Sequence, residues 1–174
     1  MTNRLVRQLA VFLFFLPVCG YSRVATIEVS TLIKTSTMIM VGRVIDVTTD
    51  KGARIAHVKV QTIYKGKKLK SVDVLAQRTW VCDISDAAKG EVALFFLHSG
   101  TQDRTVFIIS DNGRGKMPLR MIDGQQYVTL WADDVRVPTQ IRSVAGPNHD
   151  QRWARSVQLS DLVALIHQTL SASR

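Results

Sequence analysis

Four lysines, Lys65, Lys67, Lys68 and Lys70, fall within six residues around Gly66. An ammonium group is a compact point charge. Four of them at a chain reversal form a patch that meets an anionic partner first, and counterion release makes such binding weaken with salt. The same cluster also suits a charged turn that keeps sheet edges from pairing with neighbours. Cys82 is the one residue with strong nucleophilic character, and His57 and His98 are the bases that would have to serve it. The run Trp80-Val81-Cys82-Asp83 matches no thiol-enzyme signature, and neither histidine stands at a diagnostic interval. The histidines at 57, 98, 149 and 167 are scattered singly, whereas a zinc site needs three or four closely spaced ligands. Asp111-Asn112-Gly113-Arg114-Gly115-Lys116 carries glycines and a lysine but lacks the phosphate-loop spacing, so a turn is expected. Asp133-Asp134 has no ligand series around it and reads as a solvated corner. No catalytic residue, metal site or cofactor is therefore predicted. The candidate site is the anion-binding patch of Lys65, Lys67, Lys68 and Lys70.

The elements that would position these residues begin after an export segment. Arg4 and Arg7 form a basic head, Leu9 to Val18 is an apolar run broken by Pro17, and Gly20-Tyr21-Ser22 supplies small residues and a polar exit. Residues 1–22 read as a secretory signal peptide, and the run is shorter than the roughly 20 residues that cross a bilayer. The expected location is periplasmic or extracellular. Residues 23–174 then form a single domain. Net charge is +9 over the whole chain, and removing the signal takes two of those positive charges. That balance favours anionic surroundings and also serves solubility alone. Hydrophobic content of 46% with 21% charged residues excludes a disordered chain. Cleavage discards Cys19 and leaves Cys82 as a lone thiol, buried or bridging two chains, with burial favoured by the preceding Trp80 and Val81.

Periodicity supplies the rest. Val29, Leu32 and Ile33 suit one or two helical turns ended by Ser36 and Thr37. Met38 to Val47 is a strand with Gly42 marking a bulge, and Asp50-Lys51-Gly52 is a turn. Arg54 to Tyr64 alternates, with Ala56, Val58, Val60 and Thr62 on one face. Val72 to Ala76 is the third strand. Glu91 to Leu97 is a fourth, apolar on both faces, and Thr105 to Ile109 a fifth. Such a series predicts an antiparallel meander that closes on itself. Lys116 to Ile122 and Gln125 to Trp131 flank Asp123-Gly124, a strong hairpin signal. Pro138 to Asp150 reads as loop. A final helix is predicted with Ser160 as N-cap, Asp161 in its first turn, Leu159 stapled on Ala164, and Leu162, Leu165, Ile166 and Leu170 on one face, capping the barrel.

The short helix Val29 to Lys34, then Val41-Gly42-Arg43-Val44, the strand Val58 to Gly66, Cys82, Lys89-Gly90-Glu91 and Leu94-Phe95-Phe96-Leu97 carry a likeness over Ile27 to Ile109. In these residues the chain resembles bacterial secreted proteins of the netrin-like, or tissue-inhibitor-of-metalloproteinase-like, family. The resemblance implies a mainly β fold: a five-stranded OB-like closed barrel with a short N-terminal helix, here extended by a C-terminal hairpin and helix. It also implies inhibition of zinc proteases, through an N-terminal cysteine whose α-amine and carbonyl chelate the metal in a Cys-x-Cys start. Cys19-Gly20-Tyr21 departs from that start, and cleavage removes Cys19. Leu16-Pro17-Val18-Cys19-Gly20 is similar to a lipobox at Leu16, Cys19 and Gly20 but not at Val18; acylation of Cys19 would tether the protein to a membrane surface. The expected function is an exported, non-enzymatic binding or interaction module, with inhibition of a secreted or periplasmic hydrolase as the alternative. The expected partner is a protein or an anionic polymer rather than nucleic acid, because only Tyr64 stands near the lysines to stack a base. The chain is expected as a monomer or a Cys82-linked dimer.

Overall fold

The computed structural model describes residues 25–79, 81–100, 106–131, 134–146 and 155–172. The signal segment with Cys19, and Trp80, Asp133 and His149, lie outside the described residues. Five strands form the barrel: β2 (Met38–Asp50), β3 (Ala53–Lys65), β4 (Ser71–Leu75), β5 (Val92–Ser99) and β6 (Val106–Ile109). They close in the order β2-β3-β4-β6-β5, and β5 returns to β2. Only the β4–β6 pairing is parallel among them. This crossover closure makes the barrel OB-like and leaves it no free edge.

Short turns bring the strands together. Lys51 (φ 48°) and Gly52 (φ 84°) are both left-handed, and their twist matches the long β2–β3 hairpin. Gly42 sits at a register shift in β2, and a Cβ there would lie 2.5 Å from Val58 Cγ1. The glycine thus lets the two barrel walls approach at the bulge.

β5 explains why its sequence is apolar on both faces. Ala93, Phe95 and Leu97 point into the barrel core with Met38, Met40, Val58 and Val74. Leu94 and Phe96 point outward into a second core with Ile39 and Val41 of β2. That second core is covered by α1 (Val29–Thr35), by α2 (Leu159–Ser171) and by a sheet built from β7 (Lys116–Ile122), β8 (Gln125–Leu130), β11 (Arg155–Gln158) and β10 (Ser143–Ala145). The hairpin and final helix therefore cover the wall made by β2 and β5. α1 is too short to be stable alone, and Val29, Leu32 and Ile33 hold it by complete burial.

β5 also divides its hydrogen bonds. Its last residues pair with β6 and close the barrel, while Ala93 to Phe95 pair with β7 and lead into the outer sheet. The turn between β6 and β7 folds over Phe96, and a Cβ on Gly115 would stand 2.7 Å from the Phe96 carbonyl. The Asp123-Gly124 turn has both residues left-handed (φ 48° and 76°), as expected for that hairpin.

Three expectations change. The antiparallel meander gives way to a crossover, because β6 joins β4 in parallel and β5 returns to β2. The final helix starts at Leu159, with Gln158 at the N-cap and no side-chain capping bond, so Ser160 is not the cap. Gln158 still pairs with Tyr127 in the β11–β8 ladder, and strand runs straight into helix without a capping loop. The stretch expected as loop holds β10, and a further two-stranded parallel pairing joins β1 (Ile27–Glu28) to β9 (Val135–Arg136). No helix among the described residues is long and apolar enough to cross a membrane.

Candidate functional site at the barrel end

One end of the barrel opens into a cleft of about 720 Å³. Its walls include Met38 at the start of β2, Gly66, Lys67 and Leu69 of the β3–β4 loop, Ser99 at the end of β5 and Phe107 of β6. Met38 is also a member of the barrel core, and Phe107 packs on that core, so the floor of the cleft is the top of the core. Gly66 sets the loop against the barrel rim. It has φ of 99°, and a Cβ on it would lie 2.9 Å from the Thr37 carbonyl. Only glycine fits both requirements without strain. Thr37 is already committed, donating to the Leu97 carbonyl.

The lysine cluster divides on folding. Lys65 Nζ donates to the carbonyls of Ile33 and Lys34 at 2.8 and 3.0 Å, so its charge completes the C-terminal end of α1. Burial pushes its pKa down. Lys67, Lys68 and Lys70 stay exposed. Lys67 borders the barrel-end cleft, whereas Lys68 borders a neighbouring cleft of about 500 Å³ with Ile63, Tyr64 and Leu170. Tyr64 meets His167 of α2 edge-on, with centroids 6.2 Å apart, and burial raises its pKa. It is thus a packing residue of the helix layer. Leu69, flanked by the lysines, is 39% exposed.

The other residues singled out for chemistry take structural places. Cys82 is a free thiol of intermediate exposure in the loop before β5, so it is not carried fully into the core. Val81 beside it is exposed, which is why the local apolar run does not carry Cys82 into the core. His57 Nδ1 donates to Asp73 Oδ1 at 2.7 Å, and its Nε2 lies 2.9 Å from Thr48 Oγ1. These three span β2, β3 and β4 on the outer barrel face, where cross-strand polar pairs stabilise a sheet. Among the described residues, no three His, Cys, Asp or Glu side chains converge as metal ligands.

The glycine-rich run is a turn, but its cations are buried. Arg114 is 2% exposed, and its Nη2 lies 3.0 Å from Asp134 Oδ2. Lys116 is 6% exposed and reaches Glu91 Oε1 at 2.9 Å and Asp86 Oδ1 at 3.3 Å. The pair pins the β6–β7 turn to the loop before β5 and to the β8–β9 connection. Asp134 is accordingly an ion-pair partner and not a solvated corner. Beside this knot is a cleft of about 460 Å³ with Asp83, His98, Asp111 and Asn112 in its lining beside Leu75 and Ile108. Burial pushes the Asp83 carboxyl up, but hydrogen bonds from Ser85 and Thr79 outweigh it and hold the pKa below the usual range. Those bonds, 2.7 to 2.8 Å long, commit Asp83 to shaping its own loop.

Compared with known proteins, the chain matches no family model and no curated sequence.

Proposed function

We propose that the chain is an exported, non-enzymatic binding module whose contact surface is the barrel end at Gly66–Lys70. The single observation that carries this reading is the junction at Lys67 of a large apolar-floored cleft with a run of exposed cations. Mouths of β-barrels are among the usual places for ligand sites, which combine apolar walls with a few placed polar groups. The export part rests on the basic head and apolar run ahead of Tyr21. The scaffold is a closed barrel with a second core behind it, so the rim loops are held on a rigid frame. The module's partner on this reading carries negative charge.

The test is backbone amide shift mapping with 8-anilinonaphthalene-1-sulfonate, a small anion with an apolar body. Saturable shifts are expected at Thr37, Met38, Gly66 to Leu69, Ser99 and Phe107. Shifts gathered instead around Tyr64 and His167, or around Asp83 and Asp111, would remove the barrel end as the contact surface.

A further inference from the structure

We infer that the barrel-end cleft takes a single-chain anionic amphiphile, with its hydrocarbon tail laid along Leu69 and Phe107 towards Met38 and its charged head on Lys67. This rests on the barrel-end reading above and narrows it to one ligand chemistry.

Size comes first. A cleft of about 720 Å³ falls within the roughly 300–1,000 Å³ of small-molecule sites. Its shape in chemical terms is asymmetric. The inner end is Met38, 2% exposed and continuous with the barrel core, and a methionine side chain adapts to irregular apolar ligands. Phe107, which packs on that core, and the exposed Leu69 add apolar wall. The outer rim holds Lys67, the one ammonium group that borders this cleft among the described residues. A tail therefore meets mainly apolar surface and, among the described residues, a single cation at the rim.

The arrangement fits a polyanion less well. Lys65 is bound to the end of α1, and Lys68 faces the neighbouring cleft. The cluster that is contiguous in sequence thus offers one charge to the cleft and turns another away. Leu69 is exposed between Lys68 and Lys70, where a polyanion gains nothing from it and a hydrocarbon chain does. Thr37 and Ser99 supply only hydroxyls, and that of Thr37 already donates to Leu97. A free fatty acid is one chain bearing one negative head, and the experiment separates its binding from attraction to an anionic bilayer surface.

The exported protein is titrated calorimetrically with hexanoate, octanoate, decanoate and dodecanoate, all as monomers. Affinity is expected to rise about three- to fourfold for each added methylene until the chain fills the cleft. Lys67→Ala is expected to weaken decanoate severalfold and leave decanol unchanged. Leu69→Asp is expected to weaken both, with circular dichroism and urea midpoint preserved because Leu69 lies on an exposed loop. Phe107→Ala gives a second readout of the apolar wall. A flat chain-length series overturns the inference, as does equal loss of decanoate and decanol in Lys67→Ala. Cosedimentation with phosphatidylglycerol vesicles without any monomer binding also overturns it, and points to membrane-surface attraction. If naphthalenesulfonate shifts map to the barrel end while the series is flat, the barrel-end reading stands and only the amphiphile falls.

Discussion

Lys65 Nζ lies 2.8 Å from the carbonyl oxygen of Ile33, and so the last residue of β3 closes the last turn of α1. The contact removes one charge from the exposed cluster and spends it on the helix layer. Lys65→Ala is expected to cost about 1 kcal/mol, the scale of a helix-terminal charge with its hydrogen bonds at partial exposure. Lys67→Ala with Lys68→Ala together should change stability by less than about 0.5 kcal/mol, because exposed turn charges contribute little. Urea melts of the two variants measure the contrast. Equal effects would show that Lys65 is not distinct from its neighbours.

Buried Arg114 and partly exposed Asp134 form the ion pair that fastens the β6–β7 turn. Arg114→Ala removes the pairing and empties the volume of a fully buried side chain, and is expected to destabilise by about 2–5 kcal/mol. Arg114→Met keeps the volume without the charge and should cost less, leaving Asp134 free to take water since it is partly exposed. Thermal unfolding of both variants decides the matter. A greater loss in Arg114→Met than in Arg114→Ala would contradict the assignment.

Leu94 and Phe96 face the outer core, and Phe95 and Leu97 face the barrel core; all four are fully buried. Leu94→Ala, Phe95→Ala and Phe96→Ala should each cost about 2–5 kcal/mol. The two cores share β5, so a loss on one face is expected to lower the cooperativity of the other in hydrogen exchange. Accelerated exchange confined to the outer-core face in Phe96→Ala would show that the cores unfold separately.

The pH dependence has two opposing parts. Burial raises the Asp86 carboxyl, yet the charge of Lys116 and the contacts of Arg78 outweigh it and set its pKa below the ordinary 3.8. Asp83 is lowered as well. An acid depressed on folding contributes stability that is complete above its unfolded pKa and is lost as pH falls through the folded one. The urea midpoint is therefore expected to hold down to about pH 4 and to fall below it. Asp111 has the opposite sign. Burial pushes its carboxyl up, Arg114 draws it back in part, and Asp134 pushes it further up. Its stability contribution is present in acid and lost as pH rises through its folded pKa. Asp111→Asn should raise the urea midpoint at pH 7 and leave it nearly unchanged below pH 4. Asparagine also tolerates the left-handed backbone there, with φ of 50°. An identical shift at both pH values would mean that backbone conformation, not charge, is responsible.

Gly66 combines positive φ with close approach to Thr37. Gly66→Ala is expected to cost at least about 1–2 kcal/mol from the backbone alone. It should also displace the β3–β4 loop from the cleft. Unchanged amide shifts at Lys67 and Leu69 in this variant would show that the loop does not need glycine.

Alternation and turn chemistry are local, and they carried the barrel strands, the Gly42 bulge, the Asp123-Gly124 hairpin and both helices at the level of sequence. β1, β9, β10 and β11 escaped because their two to four residues lack the unbroken β-branched and aromatic run that marked the equally short β6, and they exist only by pairing with other segments. The missing N-cap at Gln158 has the same origin, since a ladder bond replaces a capping loop.

The site divides along that line. Residue types alone determined that the Gly66 reversal would be basic and that Glu91 to Leu97 would be buried on both faces. Tertiary structure decided that Lys65 serves a helix 31 residues away, that Lys67 meets an apolar cleft, and that Arg114 and Lys116 are buried in ion pairs. Charge and hydropathy belong to each residue, but a partner for a charge is set by distance in space, and closing the barrel brings those partners together.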